Sequence, residues 1–207
     1  MMDNWRRDGA VLVWLSSLAV LAVGAGPGRA SARDAPGTER KPAGMTVAIL
    51  VADAFEQVEL TGPRKVLEAA GAKTVLVAPH PGQVRAWNMA NWGDMYDVDR
   101  PLGQVRPEQF DALLLPGGVG NPDLLRVNGD AVKFVRACFE AGRARGRQMT
   151  SWPSLQTDLR NAGAAVVDEA AVVDGNLVTS RGPQGIPAFN TAMIALFAEA
   201  RPGAAGS

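Results

Sequence analysis

The sequence predicts an α/β domain built around a mostly parallel sheet. Three observations carry that reading: short continuous apolar runs near 46–51, 73–78 and 111–115, helical patterns between them, and glycine or proline at nearly every junction. Thr46–Val51 is apolar without alternation, as a strand buried on both faces requires. Thr61 is placed to cap the next helix, with Pro63 in its first turn and Gly71 as its stop. Lys73–Ala78 is a second strand, and Asp111–Pro116 a third that ends in the Gly117-Gly118 turn. Asp130–Ala141 has the spacing of an amphipathic helix stopped by Gly142. Ser151 and Pro153 open a further helix that runs to Gly163. Val172–Val178 reads as a hairpin around an Asp174-Gly175 turn, and Pro187 opens a last helix through Met193 and Leu196.

Composition narrows the chemistry. Of 207 residues, 47% are hydrophobic, enough for a real core, and 21 basic side chains balance 21 acidic ones. A neutral chain has no electrostatic footprint for nucleic acid, so no nucleic-acid partner is expected. One cysteine and one histidine exclude a disulfide framework and Cys/His metal centres, so neither metal nor cofactor is expected. A triad-type nucleophilic enzyme would have to use Cys138 or a serine, with His80 as its base.

Four regions are expected along the chain. Residues 1–32 have the three parts of a secretory signal peptide: basic Arg6-Arg7, the uncharged apolar run Ala10–Gly26, and the small-x-small site Ala30-Ser31-Ala32. Cleavage is expected after Ala32, giving a secreted or periplasmic protein. An uncleaved anchor is the alternative, and translation from Met45 would give a cytoplasmic one. No other membrane contact is expected. Residues 33–44 read as a linker, 45–200 as the folded domain and 201–207 as a tail.

In a parallel sheet, ligands bind outside the carboxyl ends of the strands. Two loops there carry suggestive residues. After the first strand, Asp53–Leu60 holds Glu56 and Glu59, three apart and just before a helix. Burial at a strand end would raise a carboxyl pKa and fit one of them for proton exchange, whereas acids facing water would merely favour the helix dipole. After the third strand, Pro116–Asp123 carries Gly117-Gly118 and Gly120, whose backbone N–H groups could face an oxyanion or simply form a tight turn. Neither a Walker loop nor a dinucleotide fingerprint is present.

The strings Val47–Leu60, Ala86-Trp87-Asn88, Trp92-Gly93-Asp94, Leu114–Gly118, Thr150–Ser154, Asp158–Gly163 and Asp174–Pro183 occur in that order along the chain. They resemble the PfpI (intracellular protease I) family of the class I glutamine-amidotransferase-like superfamily, which includes the Parkinson-associated deglycase, and the likeness they mark extends over nearly everything from Met45 to Ala198. The resemblance implies a flavodoxin-like three-layer sandwich and cysteine-dependent peptidase, glyoxalase-type or deglycase chemistry on small carbonyl compounds or glycated groups. It implies a homodimer, and a nucleophilic cysteine on a strand-to-helix elbow. By the same resemblance Glu59 is the acid that touches the sulfur, Glu56 is the second loop acid, and Gly117 and Gly118 are backbone donors lining the substrate pocket.

The elbow is absent from this sequence. After Phe139–Gly142 the chain reads Arg143–Thr150 and passes directly into Ser151-Trp152-Pro153, without an apolar run for the central elbow strand or the helix after it. Cys138 cannot stand in, because Val135 and Ala131 place it on the apolar face of a helix, near the terminus that disfavours a thiolate. His80 lies on a turn between two prolines, and Ser154 and Ser180 suit a helix start and a strand end. A missing strand of about five buried apolar residues forfeits on the order of 8–15 kcal/mol, comparable with a domain's whole stability of about 5–15 kcal/mol. Gln148–Ser151 is therefore expected to enter the sheet beside or in place of the missing strand. The reading that follows is a PfpI-like domain without its cysteine chemistry, serving in binding or interaction or persisting as a decaying homologue. Glu59 would be a vestigial acid, in a pocket that takes a small carbonyl or peptide ligand. The alternative is a cysteine-dependent hydrolase of the family, if the missing segment is an artefact of the sequence.

Overall fold

A computed structural model describes residues 19–22, 42–138 and 146–200. Most of the signal segment, residues 33–41 of the linker, the stretch 139–145 around the expected elbow, and the tail 201–207 lie outside the described residues. In chain order the elements are β1 (Ala19–Ala22), β2 (Thr46–Leu50), β3 (Phe55–Glu56), α1 (Gln57–Ala69), β4 (Lys73–Ala78), β5 (Gln83–Asn88), β6 (Asn91–Asp97), β7 (Arg100–Pro101) and β8 (Ala112–Leu115). They continue with α2 (Gly120–Val127), α3 (Gly129–Cys138), β9 (Gln148–Met149), α4 (Gln156–Asn161), β10 (Ala165–Val166), β11 (Ala171–Asp174), β12 (Leu177–Ser180) and α5 (Ile186–Ala200).

The central sheet has seven strands in the order β11-β12-β1-β8-β2-β4-β7. Strands β8, β2, β4 and β7 pair in parallel, as the unbroken apolar runs of β2 and β8 require. Side chains alternate across the sheet, which divides the core in two. Val47, Ile49 and Leu114 join Leu60 and Leu67 of α1 and Phe189, Met193 and Phe197 of α5 on one face. Ala48, Leu50 and Leu113 join Leu125 of α2, Phe134, Val135 and Cys138 of α3 and Leu159 of α4 on the other. The result is the three-layer α/β sandwich that the sequence predicts.

Gln148–Ser151 does not enter the central sheet. Gln148–Met149 pairs with Ala165–Val166 in a separate parallel ribbon. Its backbone is instead held against the β11–β12 hairpin by side chains: Gln148 N–H donates to Asp174 Oδ2 (2.6 Å) and Thr150 N–H to Thr179 Oγ1 (3.0 Å). The place between β8 and β12 belongs to Ala19–Ala22, antiparallel to both neighbours. A segment read as part of an export signal is thus a strand of the fold.

Local departures have local causes. Helix α1 begins at Gln57, so Thr61 lies inside it with its hydroxyl on the Gln57 carbonyl (3.1 Å), and Pro63 is buried in the helix interior. Without an N–H, Pro63 leaves the carbonyl four residues earlier, that of Glu59, without its helical donor. The cap of α3 is Asn128, whose Oδ1 accepts from Asp130 and Ala131 N–H (3.1 and 2.9 Å). The two-residue turn of the β11–β12 hairpin is Gly175-Asn176, one position later than Asp174-Gly175, because Asp174 already pairs with Leu177.

Candidate functional site

The loops that follow β2 and β8 meet at the carboxyl ends of the parallel strands. Val51 hydrogen-bonds Val77, the chain turns at Ala54 with φ 61°, and Glu56 N–H donates to the Gly117 carbonyl (3.1 Å). Gly118 sits opposite with φ 91°, where an added Cβ would lie 2.8 Å from Glu56 N and 3.0 Å from the Ala54 carbonyl oxygen. Glycine is required there for two independent reasons, backbone conformation and close approach.

Asn121 ties the two loops together. Almost fully buried, it accepts from Ala52 N–H through Oδ1 (2.6 Å) and donates from Nδ2 to the Pro116 carbonyl (2.6 Å). Both of those backbone groups lie just past their strands, where the ladders no longer pair them.

Glu59, 1% exposed, points from the first helical turn into this junction, and its Oε2 accepts from Gly117 N–H at 2.7 Å. Burial pushes its pKa from 4.5 up to about 7, the Gly117 hydrogen bond opposes that rise, and the neighbouring Glu56 carboxylate adds to it. At neutral pH Glu59 can therefore hold or release a proton. Glu56 is also buried, and its Oε1 accepts from Met89 N–H (3.3 Å). Because Gly117 N–H is already engaged by Glu59, it is not a free oxyanion donor.

A cavity of about 840 Å³ opens above these residues. Glu56, Glu59 and Gly118 form its floor with Ala54 and Gly120, while Trp87, Met89, Val119 and Trp152 form much of its wall. The size and the mainly apolar wall suit a small organic ligand. Trp87 is fixed by its indole N–H on the Met89 carbonyl (2.8 Å) and by an edge-on contact with Trp92 at 5.5 Å. Met89 is 83% exposed and adopts φ 56°, projecting at the rim. Met89, Trp152 and Asn121 were not identifiable as site residues from the sequence, although the Trp87-Asn88 and Ser151-Trp152-Pro153 strings mark two of the walls.

The other candidates lie elsewhere. Cys138 is buried in the opposite core layer, and burial together with the nearby Glu108 pushes its thiol up to about 12. His80 is exposed beyond β4, with Nδ1 3.1 Å from the Pro81 carbonyl oxygen. Ser154 is exposed, and Ser180 is buried with its hydroxyl on the Ala170 and Gly182 carbonyls (3.3 and 3.1 Å). Among the described residues, no serine, cysteine, histidine or lysine lines the cavity, and no group of three or more metal-ligating side chains occurs.

This strand order, with a glycine turn and a buried acid at the strand ends, invites comparison with known proteins. The sequence profile of the DJ-1/PfpI family matches residues 45–145 and 137–196. The chain belongs to the DJ-1/PfpI family. An uncharacterized protein from Staphylococcus saprophyticus is 36% identical over 169 residues, which span 72% of this chain and 95% of its own. Among solved structures, a two-domain protein from Anabaena variabilis with DJ-1/ThiJ/PfpI-like and ferritin-like domains superposes with a TM-score of 0.67 at 30% identity. That superposition covers 78% of this chain, which spans about half of the two-domain protein (52%). Drosophila melanogaster DJ-1beta superposes with a TM-score of 0.65 at 26% identity, covering 74% of this chain and 90% of its own. The DJ-1/PfpI profile matches in two pieces that overlap at 137–145.

Proposed function

We propose that this chain is a DJ-1/PfpI domain that lacks cysteine chemistry and uses its pocket to hold a small carbonyl compound or a short peptide group. The observation that carries this reading is the lining of the cavity: two carboxylates, Glu56 and Glu59, and no described nucleophile, with the one cysteine in the opposite core layer. A carboxyl poised near pH 7 can donate a hydrogen bond to a ligand carbonyl when protonated and accept one from an amide when ionised. In this reading the segment that carries a nucleophile in relatives is missing from the chain, and Glu59 keeps its position without a sulfur to address.

The experiment is direct. Methylglyoxal turnover and peptide hydrolysis should sit at background, and neither Cys138→Ser nor Glu59→Gln should change them. Small carbonyl compounds should meanwhile quench the fluorescence of Trp87 and Trp152 saturably. The second reading, a cysteine-dependent hydrolase, is favoured by the burial of Glu59 and its bond from Gly117. Thiol-dependent turnover abolished by either substitution would establish it and sink the first.

A further inference from the structure

We infer that Ala19–Ala22, within the apolar N-terminal run, is retained in the folded protein as the strand that closes the central sheet, so that the use of this segment in a cleaved export leader and its use as a strand exclude one another. The argument starts from β8 and β12. They run in the same direction but are not hydrogen-bonded to each other; each pairs with β1. Two strand spacings, about 9.5 Å, therefore separate them, the width of one strand. With Ala19–Ala22 in place, Ala112, Leu113 and Leu114 of β8 and Leu177–Ser180 of β12 are all 3% exposed or less. The facing backbone edges of β8 and β12 find their ladder partners in that segment.

Ala19–Ala22 pairs with both in register. Ala19, Val20 and Leu21 oppose Thr179, Val178 and Leu177 on one side, and Ala19–Ala22 oppose Leu115–Ala112 on the other. The segment belongs to the Ala10–Gly26 run, and a strand between two buried neighbours calls for just such unbroken apolar sequence. Its reversed direction fits the connection. Ala22 pairs with Ala112, which also pairs with Val47, so β1 ends at the side of the sheet where β2 begins. The chain has only those two spacings to cross, and residues 23–46 reach up to ~80 Å when extended. A cut after Ala32 would sever this strand from the domain it completes.

The test uses the full chain with Val20→Cys and Val178→Cys, a facing pair close enough for a disulfide. After mild oxidation, non-reducing peptide mapping should find the two positions joined within one chain. Joining between two chains would mean that the strand is lent by a second copy, and no joining would mean that the slot is not filled by this segment; either result overturns the inference. N-terminal sequencing of unmodified protein from its host should find residues 19–22 retained, and a start at Arg33 would also overturn it. Hydrogen exchange covers the case in which the cysteine pair does not fold. Val20→Pro should accelerate exchange at 112–115 and 177–180 at least tenfold, and unchanged rates there would refute the assignment.

Discussion

The ionisation of Glu59 should make the protein less stable as pH rises, and one substitution should remove the effect. The folded-state pKa of about 7 lies above the unfolded value of 4.5, so between these pH values the native state binds more protons than the unfolded chain. Stability from this group is present in full below pH 4.5 and is lost as pH rises through 7. Each unit between the two pKa values corresponds to about 1.36 kcal/mol, which gives a loss of about 3 kcal/mol by pH 8. Glu59→Gln keeps an oxygen for Gly117 N–H and carries no charge. It should match the wild type within about 1 kcal/mol at pH 4.5 and exceed it by about 2–3 kcal/mol at pH 8. Urea denaturation of both proteins at pH steps from 4.5 to 8.5 measures this. Parallel stability curves would refute the claim that burial raises the Glu59 pKa.

Two further substitutions test the scaffold of the site. Asn121→Ala strands the buried Ala52 N–H and Pro116 carbonyl, and should cost about 2–4 kcal/mol in denaturant melts at roughly 1–3 kcal/mol per orphaned group. Gly118→Ala meets both a φ of 91° and the Glu56 backbone at 2.8 Å; it should cost at least ~1–3 kcal/mol and lower the thermal midpoint more than Gly103→Ala, where an added Cβ has open space.

The α/β sandwich was legible because β2 and β8 are unbroken apolar runs, β4 ends in one, and α1 between β2 and β4 has a clear stop; strands buried on two faces have little freedom to look otherwise. Glu56 and Glu59 were legible as a pair by their spacing after the first strand. Other elements were hidden by conflicting local signals. Gly120-Asn121-Pro122 reads as a turn yet opens α2, where Asn121 serves as a buried tie between loops. The β5–β6 hairpin went unseen because β6 is polar and exposed along much of its length, with little apolar alternation to reveal it. Ala19–Ala22 is the strongest case. Four apolar residues inside a longer apolar run look the same to periodicity whether they cross a membrane or lie in a sheet, and only their pairing with β8 and β12 distinguishes the two.

The outermost strand of the central sheet has a bearing on solubility. β7 is two residues long, pairs only with β4, and consists of a charged residue and a proline. Pro101 has no N–H to offer an incoming chain, and Arg100 resists burial, so this margin is a poor template for growth by strand addition. The buried end of β4, Val77–Ala78, thus lies behind a guard against strand addition, two ladder positions long.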